Sequence, residues 1–116
     1  MVIDDQILKL KKLYPDKILI TYIGKDYSVS EINMKINTIA GLVKSQNIED
    51  LHIGVKLDNP IELLCAIIAL NRIDKIPVLY SELTEKINCN NIEIILDNNN
   101  IKNSSKKLEI IKKRYN

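Results

Sequence analysis

The residues best suited to acid–base or nucleophilic chemistry stand singly along this sequence. His52 is the only histidine, the residue type that serves most often as a general base. No serine or cysteine has an evident link to it, so the sequence favours a hydrogen-bonded histidine at the end of a strand. Cys65 lies in an apolar helix, where burial makes a thiol unreactive. Asp58 and Glu62 are close in sequence, but Glu62 is expected to help cap a helix, so neither is assigned an acid–base role.

Phosphate and metal sites need groups of residues that this sequence does not provide. The three glycines, Gly24, Gly41 and Gly54, are too far apart to build a phosphate-binding loop. The Asn-rich segment 98–105 is polar like such a loop but contains no glycine. No His, Cys, Asp or Glu residues have metal-ligand spacing. The sequence therefore predicts no catalytic, cofactor-binding or metal-binding residue in this chain.

The basic residues of the chain are concentrated in its last 16 positions. Residues 101–116 carry six Lys and Arg against one acidic residue, whereas the preceding part carries 11 against 14. The six are Lys102, Lys106, Lys107, Lys112, Lys113 and Arg114. A basic surface can bind nucleic acid, but this chain has no Phe or Trp to stack on bases. We therefore interpret the basic residues as the solvated face of a helix and expect no nucleic-acid binding.

The chain shows no feature of a secreted or membrane protein. Two cysteines, Cys65 and Cys89, are too few for a disulfide framework, and Cys89 is expected to be a free thiol in a loop. The N-terminus carries acidic residues where a secretory leader has basic ones. The longest apolar run, 63–70, has 8 residues, and a membrane span needs about 20. These observations predict a reduced cytoplasmic protein.

The first half of the chain alternates helical and strand patterns. Apolar residues at helical spacing predict a helix over 3–14, with Ile3, Ile7, Leu10 and Leu13 on its buried stripe. Residues 18–23 predict a strand, which Gly24-Lys25-Asp26 turns into a return strand at Tyr27. Ser28 to Glu31 has capping-box spacing and opens a helix that ends at a left-handed Asn47. The buried face of that helix is expected to contain Ile32, Ile36, Ile39, Ala40 and Val43.

The second half repeats the strand–helix alternation. A strand over 51–57 precedes Asn59-Pro60, which predicts an N-cap and a first helical turn. The helix 60–73 is apolar nearly all round and must be covered on most sides. The remaining predictions are a strand at 75–80, a short helix at 84–87, a strand at 92–96, and a basic helix that begins at Ser104 or Ser105, with Leu108, Ile111 and Tyr115 on its apolar face. This alternation predicts an α/β fold with a mostly parallel sheet flanked by helices.

The order and spacing of four segments resemble the N-terminal region of adenylate-forming enzymes. They are Asp26-Tyr27-Ser28-Val29-Ser30-Glu31-Ile32, the strand 52–57, the helix start 58–62 and the segment 76–84. The superfamily includes acyl-CoA synthetases, the adenylation domains of peptide synthetases, and luciferases. The resemblance covers residues 1–97. The family usually has Ala-Gly-Ala before its Val-Pro strand, and here Asp74 stands where the glycine would be, so it is expected to adopt a left-handed conformation.

The resemblance implies a function for a larger enzyme rather than for this chain alone. A complete relative uses ATP and Mg²⁺ to activate an acyl or aminoacyl carboxylate, through motifs that lie after the matching region. We therefore expect residues 1–97 to form the N-terminal α/β subdomain, and residues 98–116 to add an Asn-rich loop and a basic helix to the same domain. The chain would be a truncated or split ligase portion, inactive by itself and without its own cofactor.

Two alternatives differ in what the chain would do. The first is a stand-alone, non-catalytic interaction module, in which the basic C-terminal helix covers the exposed sheet. The second is an unrelated nucleotide-binding α/β domain, which would need glycines after its first parallel strand. For the ligase portion we expect an apolar surface where the missing subdomain would pack, and hence a protein partner or self-association.

Overall fold

The computed structural model describes residues 2–79, 94–99 and 109–110. Within them lie three helices and six strands, and also two helical residues, Asn98 and Asn99, where the sequence predicted a loop. In chain order these are α1 (Val2–Leu13), β1 (Ile18–Tyr22), β2 (Lys25–Ser28), α2 (Val29–Ser45), β3 (His52–Lys56), α3 (Pro60–Arg72), β4 (Ile76–Leu79), β5 (Ile94–Asp97) and β6 (Glu109–Ile110). The predicted strands at 51–57, 75–80 and 92–96 thus lie within two residues of the observed bounds at each end.

Four of the strands form one sheet in the order β4-β3-β5-β6. β3 runs parallel to both neighbours, with Gly54 opposite Val78 of β4 and Ile95 of β5. β6 is antiparallel to β5. The prediction of an α/β fold with a mostly parallel sheet is therefore confirmed. Because the chain passes from β3 to β4 on one side and later joins β5 on the other, the order of the strands reverses between β3 and β5.

α3 is the central helix of the described fold. Asn59 caps its first turn and Pro60 takes the first helical position, as the sequence predicts. The helix contacts β3 and β4 of the sheet and also α2. Cys65, Ile68 and Leu70 are fully buried. Its apolar residues are spread round the helix, and it packs on both the sheet and α2.

α2 covers α3 and has the predicted boundaries. The Ser28 hydroxyl accepts a hydrogen bond from the Glu31 amide, and the Glu31 carboxylate accepts one from the Ser28 amide. Asn47, just after the helix, has a left-handed φ of 51°. The five residues predicted on the inner face are all buried: Ile32, Ile36, Ile39, Ala40 and Val43. A local capping signal and one apolar face are therefore enough to specify this helix.

The β1–β2 hairpin packs on α2 as a separate two-stranded sheet. Its turn begins one residue earlier than predicted and is one residue shorter, so Lys25 and Asp26 belong to β2. Tyr22 pairs with Lys25, so the turn residues are Ile23 and Gly24, with φ of 48° and 71°. Two successive positive φ angles are characteristic of a type I′ turn, which matches the twist of the strands it joins. The register of the pairing is irregular between Ile18 and Ile20, where β1 has one residue more than β2.

The apolar stripe predicted for α1 is only partly buried, so that prediction is wrong in part. Ile7 lies in the core and Leu10 is half-buried, whereas Ile3 and Leu13 are exposed. Asp4 is buried in place of an apolar residue. Helical spacing predicted the helix correctly, but its contact face turns towards Asp4 because that carboxylate has an ionic partner on α3.

The prediction of a basic C-terminal helix is wrong at two residues. Glu109 and Ile110 form β6 and pair with Ile95 and Ile94 of β5. At these two positions, hydrogen bonding to the edge strand of the sheet outweighs the helical pattern of the sequence. A local sequence pattern does not predict such a pairing. The other residues of that predicted helix, Cys89 and the short helix predicted at 84–87 lie outside the described residues, and the boundary proposed between 97 and 98 stays a prediction.

Candidate functional site

The carboxyl ends of β3 and β5 form the edge where open α/β sheets usually bind ligands. Such ligands occupy the crevice at the point where the strand order reverses. Here β3 is followed by Asp58 and β5 by Asn98, and the two residues bind each other. The Asn98 amide nitrogen donates to Asp58 Oδ2 at 2.9 Å, and the Asp58 backbone N–H donates to Asn98 Oδ1 at 3.3 Å. The chain's own side chains therefore bridge this crevice.

The N-terminus of α3 opens at the same edge, and its amides are already in use. Asn59 Oδ1 accepts hydrogen bonds from the amides of Ile61, at 2.8 Å, and Glu62, at 3.2 Å. A free helix N-terminus attracts phosphate because its amides are unpaired and its dipole is positive. In this chain the Asn59 side chain satisfies two of those amides, and the carboxylate of Asp58 stands next to it in sequence. Both features disfavour an anion at this helix.

These groups are poorly suited to binding the phosphates of ATP. Asp58 would repel a phosphate, and the capped helix leaves it few donors. Among residues 2–79, 94–99 and 109–110, no group of three or more His, Cys, Asp or Glu side chains is placed to hold a metal ion. Of the segment 98–105, only Asn98 and Asn99 are described, and Asn98 is engaged with Asp58.

His52 and Asp58 lie at opposite ends of strand β3. His52 begins β3, and Asp58 follows its end. At about 3.3 Å per residue, the strand separates them by about 20 Å. Glu62 is one turn inside α3, and its backbone amide serves the Asn59 cap. The structure therefore does not bring His52 together with Asp58.

Cys65 is fully buried in α3. Burial raises the pKa of its thiol to about 11, with the Lys35 ammonium lowering this pKa and the Glu62 carboxylate raising it. A thiol that stays protonated near neutral pH is a poor nucleophile. The structure supports the interpretation of Cys65 as a core residue.

The densest polar cluster of the described residues joins the three helices, and no sequence pattern predicted it. Arg72 of α3 forms an ion pair with Asp4 of α1, and Nε of Arg72 lies 3.0 and 3.1 Å from the two carboxylate oxygens. Nη2 also donates to Asn33 Oδ1 at 3.1 Å, and Nη1 donates to Asn37 Oδ1. Helical periodicity would have revealed Asp4 only as a charge within the apolar stripe of α1. The partners are 35 to 68 positions apart, beyond the reach of any local pattern.

A second set of polar contacts, made by Lys75, holds the loop before β3. The Lys75 ammonium donates to the backbone carbonyls of Ile48 and Asp50, each at 2.7 Å. The adjoining Asp74 has a left-handed φ of 62°, as predicted from its place in the sequence. These contacts position β4 beside β3 and present no reactive group to solvent. The basic residues between 102 and 114 lie outside the described residues. None of the helices in the described part of the chain is long and apolar enough to cross a membrane.

Comparison with known proteins gives matches in structure but not in sequence. A scan of protein-family models finds no match, and a search of curated proteins finds none. Among solved structures, one match is NpsA–ThdA, an artificially fused adenylation–PCP di-domain NRPS from Klebsiella oxytoca. It has a TM-score of 0.71 and 12% identity, over 92% of this chain and 25% of that one.

Two further structures agree with the first. The N-terminal subdomain of Klebsiella oxytoca NpsA, in complex with 3-hydroxybenzoyl-AMSN, has a TM-score of 0.69 and 12% identity, over 94% of this chain and 34% of that one. O-succinylbenzoate coenzyme A synthetase (MenE) from Bacillus subtilis, in complex with AMP, has a TM-score of 0.69 and 13% identity, over 93% and 34%. The chain therefore has the fold of the N-terminal region of adenylate-forming enzymes, and it spans a quarter to a third of these structures.

Proposed function

We propose that this chain is the N-terminal portion of an AMP-forming ligase that activates an acyl or aminoacyl carboxylate. The observation that carries the proposal is the match of 92–94% of the chain to adenylate-forming enzymes of which it spans only 25–34%. A match of this kind is expected of a structural portion of such an enzyme. ATP and Mg²⁺ would then belong to the complete enzyme rather than to this portion.

We further propose that the chain by itself does not activate a carboxylate. The transition state of adenylation places negative charge on a phosphate, and it needs positioned donors and cations. The carboxyl edge of the described sheet instead offers the Asp58 carboxylate, an α3 N-terminus filled by Asn59, and the Asp58–Asn98 bridge. The role of this portion is to support, through a packed face, a site built by other residues.

The partner under this proposal is the polypeptide that supplies the remaining two thirds or more of the enzyme, joined to this chain or separate from it. A reduced cytoplasmic location belongs to the same proposal because ATP-dependent activation requires cytoplasmic ATP. Self-association would be a second consequence if the surface for the missing subdomain pairs with itself. Nucleic acid and membranes are not proposed as partners.

The activity proposal is tested by ATP–pyrophosphate exchange. The purified chain is assayed with pools of carboxylic acids and amino acids, and MenE with o-succinylbenzoate serves as the active reference. We expect exchange at the background rate for the chain alone. Exchange above background that depends on one carboxylate would overturn the proposal that the chain is inactive by itself.

The ligase proposal needs its own test. If a neighbouring reading frame encodes a polypeptide with a Ser/Thr/Gly-rich phosphate loop, the chain is co-expressed with it, and the two are purified through a tag on either one. We expect a stable complex that catalyses exchange, with neither part active alone. Failure of both association and exchange, across the same carboxylate pools, would refute the assignment to a ligase.

The sequence feature that favoured a stand-alone interaction module disagrees with the structure. It rested on an amphipathic helix after residue 103, and Glu109 and Ile110 are instead in β6. A strand that returns to pair with β5 extends the sheet rather than covering its face. We therefore retain the ligase portion as the proposed function.

A further inference from the structure

The contact between α1 and the rest of the fold depends on very few side chains. Of residues 3–13, only Asp4 and Ile7 are buried, and Leu10 is half-buried. A helix of 12 residues is marginally stable by itself in water. Among the described side chains of α1, these three therefore contribute most to keeping it helical and in place, and Asp4 makes the ion pair.

The guanidinium of Arg72, which binds Asp4, is oriented by other residues. Arg72 donates from Nη2 to Asn33 and from Nη1 to Asn37, and both acceptors belong to α2. Asn33 is 2% exposed, so its amide is held by the surrounding core. These two bonds fix the plane of the guanidinium and leave its Nε and Nη2 hydrogens directed at the carboxylate. A planar fork held in this way is suited to bidentate binding of a carboxylate.

The segment that follows α1 is attached to α2, and this attachment limits how far a movement of α1 can extend along the chain. The carbonyls of Pro15 and Lys17 accept hydrogen bonds from Ser30 and Val29, each at 2.9 Å. These bonds attach residues 15–17 to the start of α2 whether or not α1 is docked. Leu13 and Tyr14, between this attachment and the buried part of α1, are both more than half exposed. Rotation about residues 13–14 would therefore free α1 without disturbing the capping box of α2.

We propose that Arg72, Asn33 and Asn37 form a carboxylate-binding cradle, that Asp4 is its resident ligand, and that α1 is a strap which this contact holds and releases. Release leaves the cradle folded and able to accept another carboxylate. Arg72 is the binding residue, and Asn33 and Asn37 are positioning residues that act through it. The proposal concerns this chain alone and does not depend on its assignment to a ligase.

The cradle is tested by replacing the resident carboxylate with a free one. Asp4→Ala removes a group the size of formate, so formate is the matched probe. We expect the thermal midpoint of Asp4→Ala to fall by about 10 °C or more. Formate at ten times its dissociation constant should then raise the midpoint by about 5 °C, relative to chloride at equal ionic strength.

Two variants serve as controls for the formate effect. Asp4→Asn keeps the space filled, so its midpoint should fall without responding to formate. Asp4→Ala combined with Arg72→Met lacks the binding residue and should not respond either. If formate raises the midpoint of Asp4→Ala no more than chloride does, or raises that of the double variant equally, the cradle is refuted.

The strap is tested by amide hydrogen exchange on the unmodified chain. Amides of α1 should exchange at least about 100-fold faster than the core amides of α2 and α3, because local release requires less free energy than global unfolding. In Asp4→Ala, protection of α1 should be lost while that of α2 and α3 persists, and formate should restore it. Equal protection of all three helices, or an Asp4→Ala chain that is unfolded with and without formate, would overturn the proposal.

Discussion

The carboxylate of Asp4 and the guanidinium of Arg72 join residues 68 positions apart and hold the first helix against the third. Their side chains are 9% and 17% exposed, so the ion pair lies largely out of water. Removing charges from water is costly, and only the complete pair with its hydrogen bonds offsets that cost. The two partners should therefore tolerate joint replacement better than the loss of either one.

Replacement of Arg72 alone should be strongly destabilising. Arg72→Met leaves the Asp4 carboxylate buried without its cation, and we expect the free energy of unfolding to fall by about 3–5 kcal/mol. The double variant Asp4→Leu/Arg72→Met should recover most of this loss because it buries no charge. Urea unfolding of both variants measures the difference. Lys9→Met on the exposed face of α1 is the control, with a change of about 0.5 kcal/mol or less. Equal losses in the single and double variants would contradict the argument.

The capping box of α2 gives a second prediction. Ser28→Ala removes the acceptor of the Glu31 amide and should reduce the free energy of unfolding by about 1 kcal/mol. Ser28→Asp keeps an acceptor at the same position and should retain most of the stability. Ser45→Ala removes a hydroxyl that donates to the Leu42 carbonyl at the other end of the same helix, where no N-cap is lost. The prediction fails if the two alanine variants lose the same amount.

The hairpin turn should become more stable when its first residue is changed. Ile23 has a φ of 48° and is 83% exposed, so a β-branched side chain is strained there without burying apolar surface. Ile23→Asn should raise the free energy of unfolding by about 1 kcal/mol, since asparagine is favoured in this type of turn.

The neighbouring glycine provides the matched opposite change. Gly24→Ala should lower the free energy of unfolding by about 1 kcal/mol. An added Cβ would meet no atom within 4 Å, so the loss would come from the positive φ of 71° alone. Thermal unfolding of both variants beside the unchanged chain gives the comparison. A stabilising Gly24→Ala would show that the turn has a different conformation.

The buried thiol of Cys65 should make stability depend on pH in the alkaline range. Its pKa rises from 9.0 to about 11 on folding, chiefly through burial. The folded chain therefore keeps a proton that the unfolded chain loses above pH 9. The resulting stabilisation, about 2–3 kcal/mol at most, is fully present below pH 9 and lost as the pH rises through 11. The difference in unfolding free energy between the unchanged chain and Cys65→Ala should shrink over this interval, as denaturant titrations at pH 8 to 11 would reveal.

The same burial predicts slow chemical modification. In a Cys89→Ala variant, which leaves one thiol, a thiol reagent at pH 8 should react with the folded chain at least about 100-fold more slowly than with the chain in urea. Absorbance of the released reagent anion follows the reaction. A folded-state rate within a few fold of the unfolded rate would mean that Cys65 is reachable from solvent.

The bridge across the carboxyl edge should contribute modestly. Asn98→Ala removes both hydrogen bonds to Asp58 and should lower the free energy of unfolding by about 0.5–1 kcal/mol, because the groups are exposed to water. Asn99→Ala, at the adjacent exposed position, should change it less. Comparison of the two variants by urea unfolding tests whether the bridge ties β3 to β5 in solution.

The features that the sequence predicted correctly depend on contacts between near neighbours. The capping box at Ser28, the Asn59-Pro60 start of α3, and the left-handed residues Asn47 and Asp74 are each decided within about four positions of the chain. The parallel sheet was predictable for a related reason, since strands joined by helix-length connections have few other arrangements. The resemblance to adenylate-forming enzymes used the order of these same local features.

Tertiary structure alone decided where chain segments meet. The sequence could not reveal that Asp4 faces Arg72, that Asn98 bridges to Asp58, or that Glu109 and Ile110 pair with β5 instead of forming a helix. Local patterns record what a residue prefers next to its neighbours. An ion pair, a side-chain bridge and a strand pairing instead depend on groups that folding brings together from 14 to 68 positions away, and their free energy outweighs the local preference.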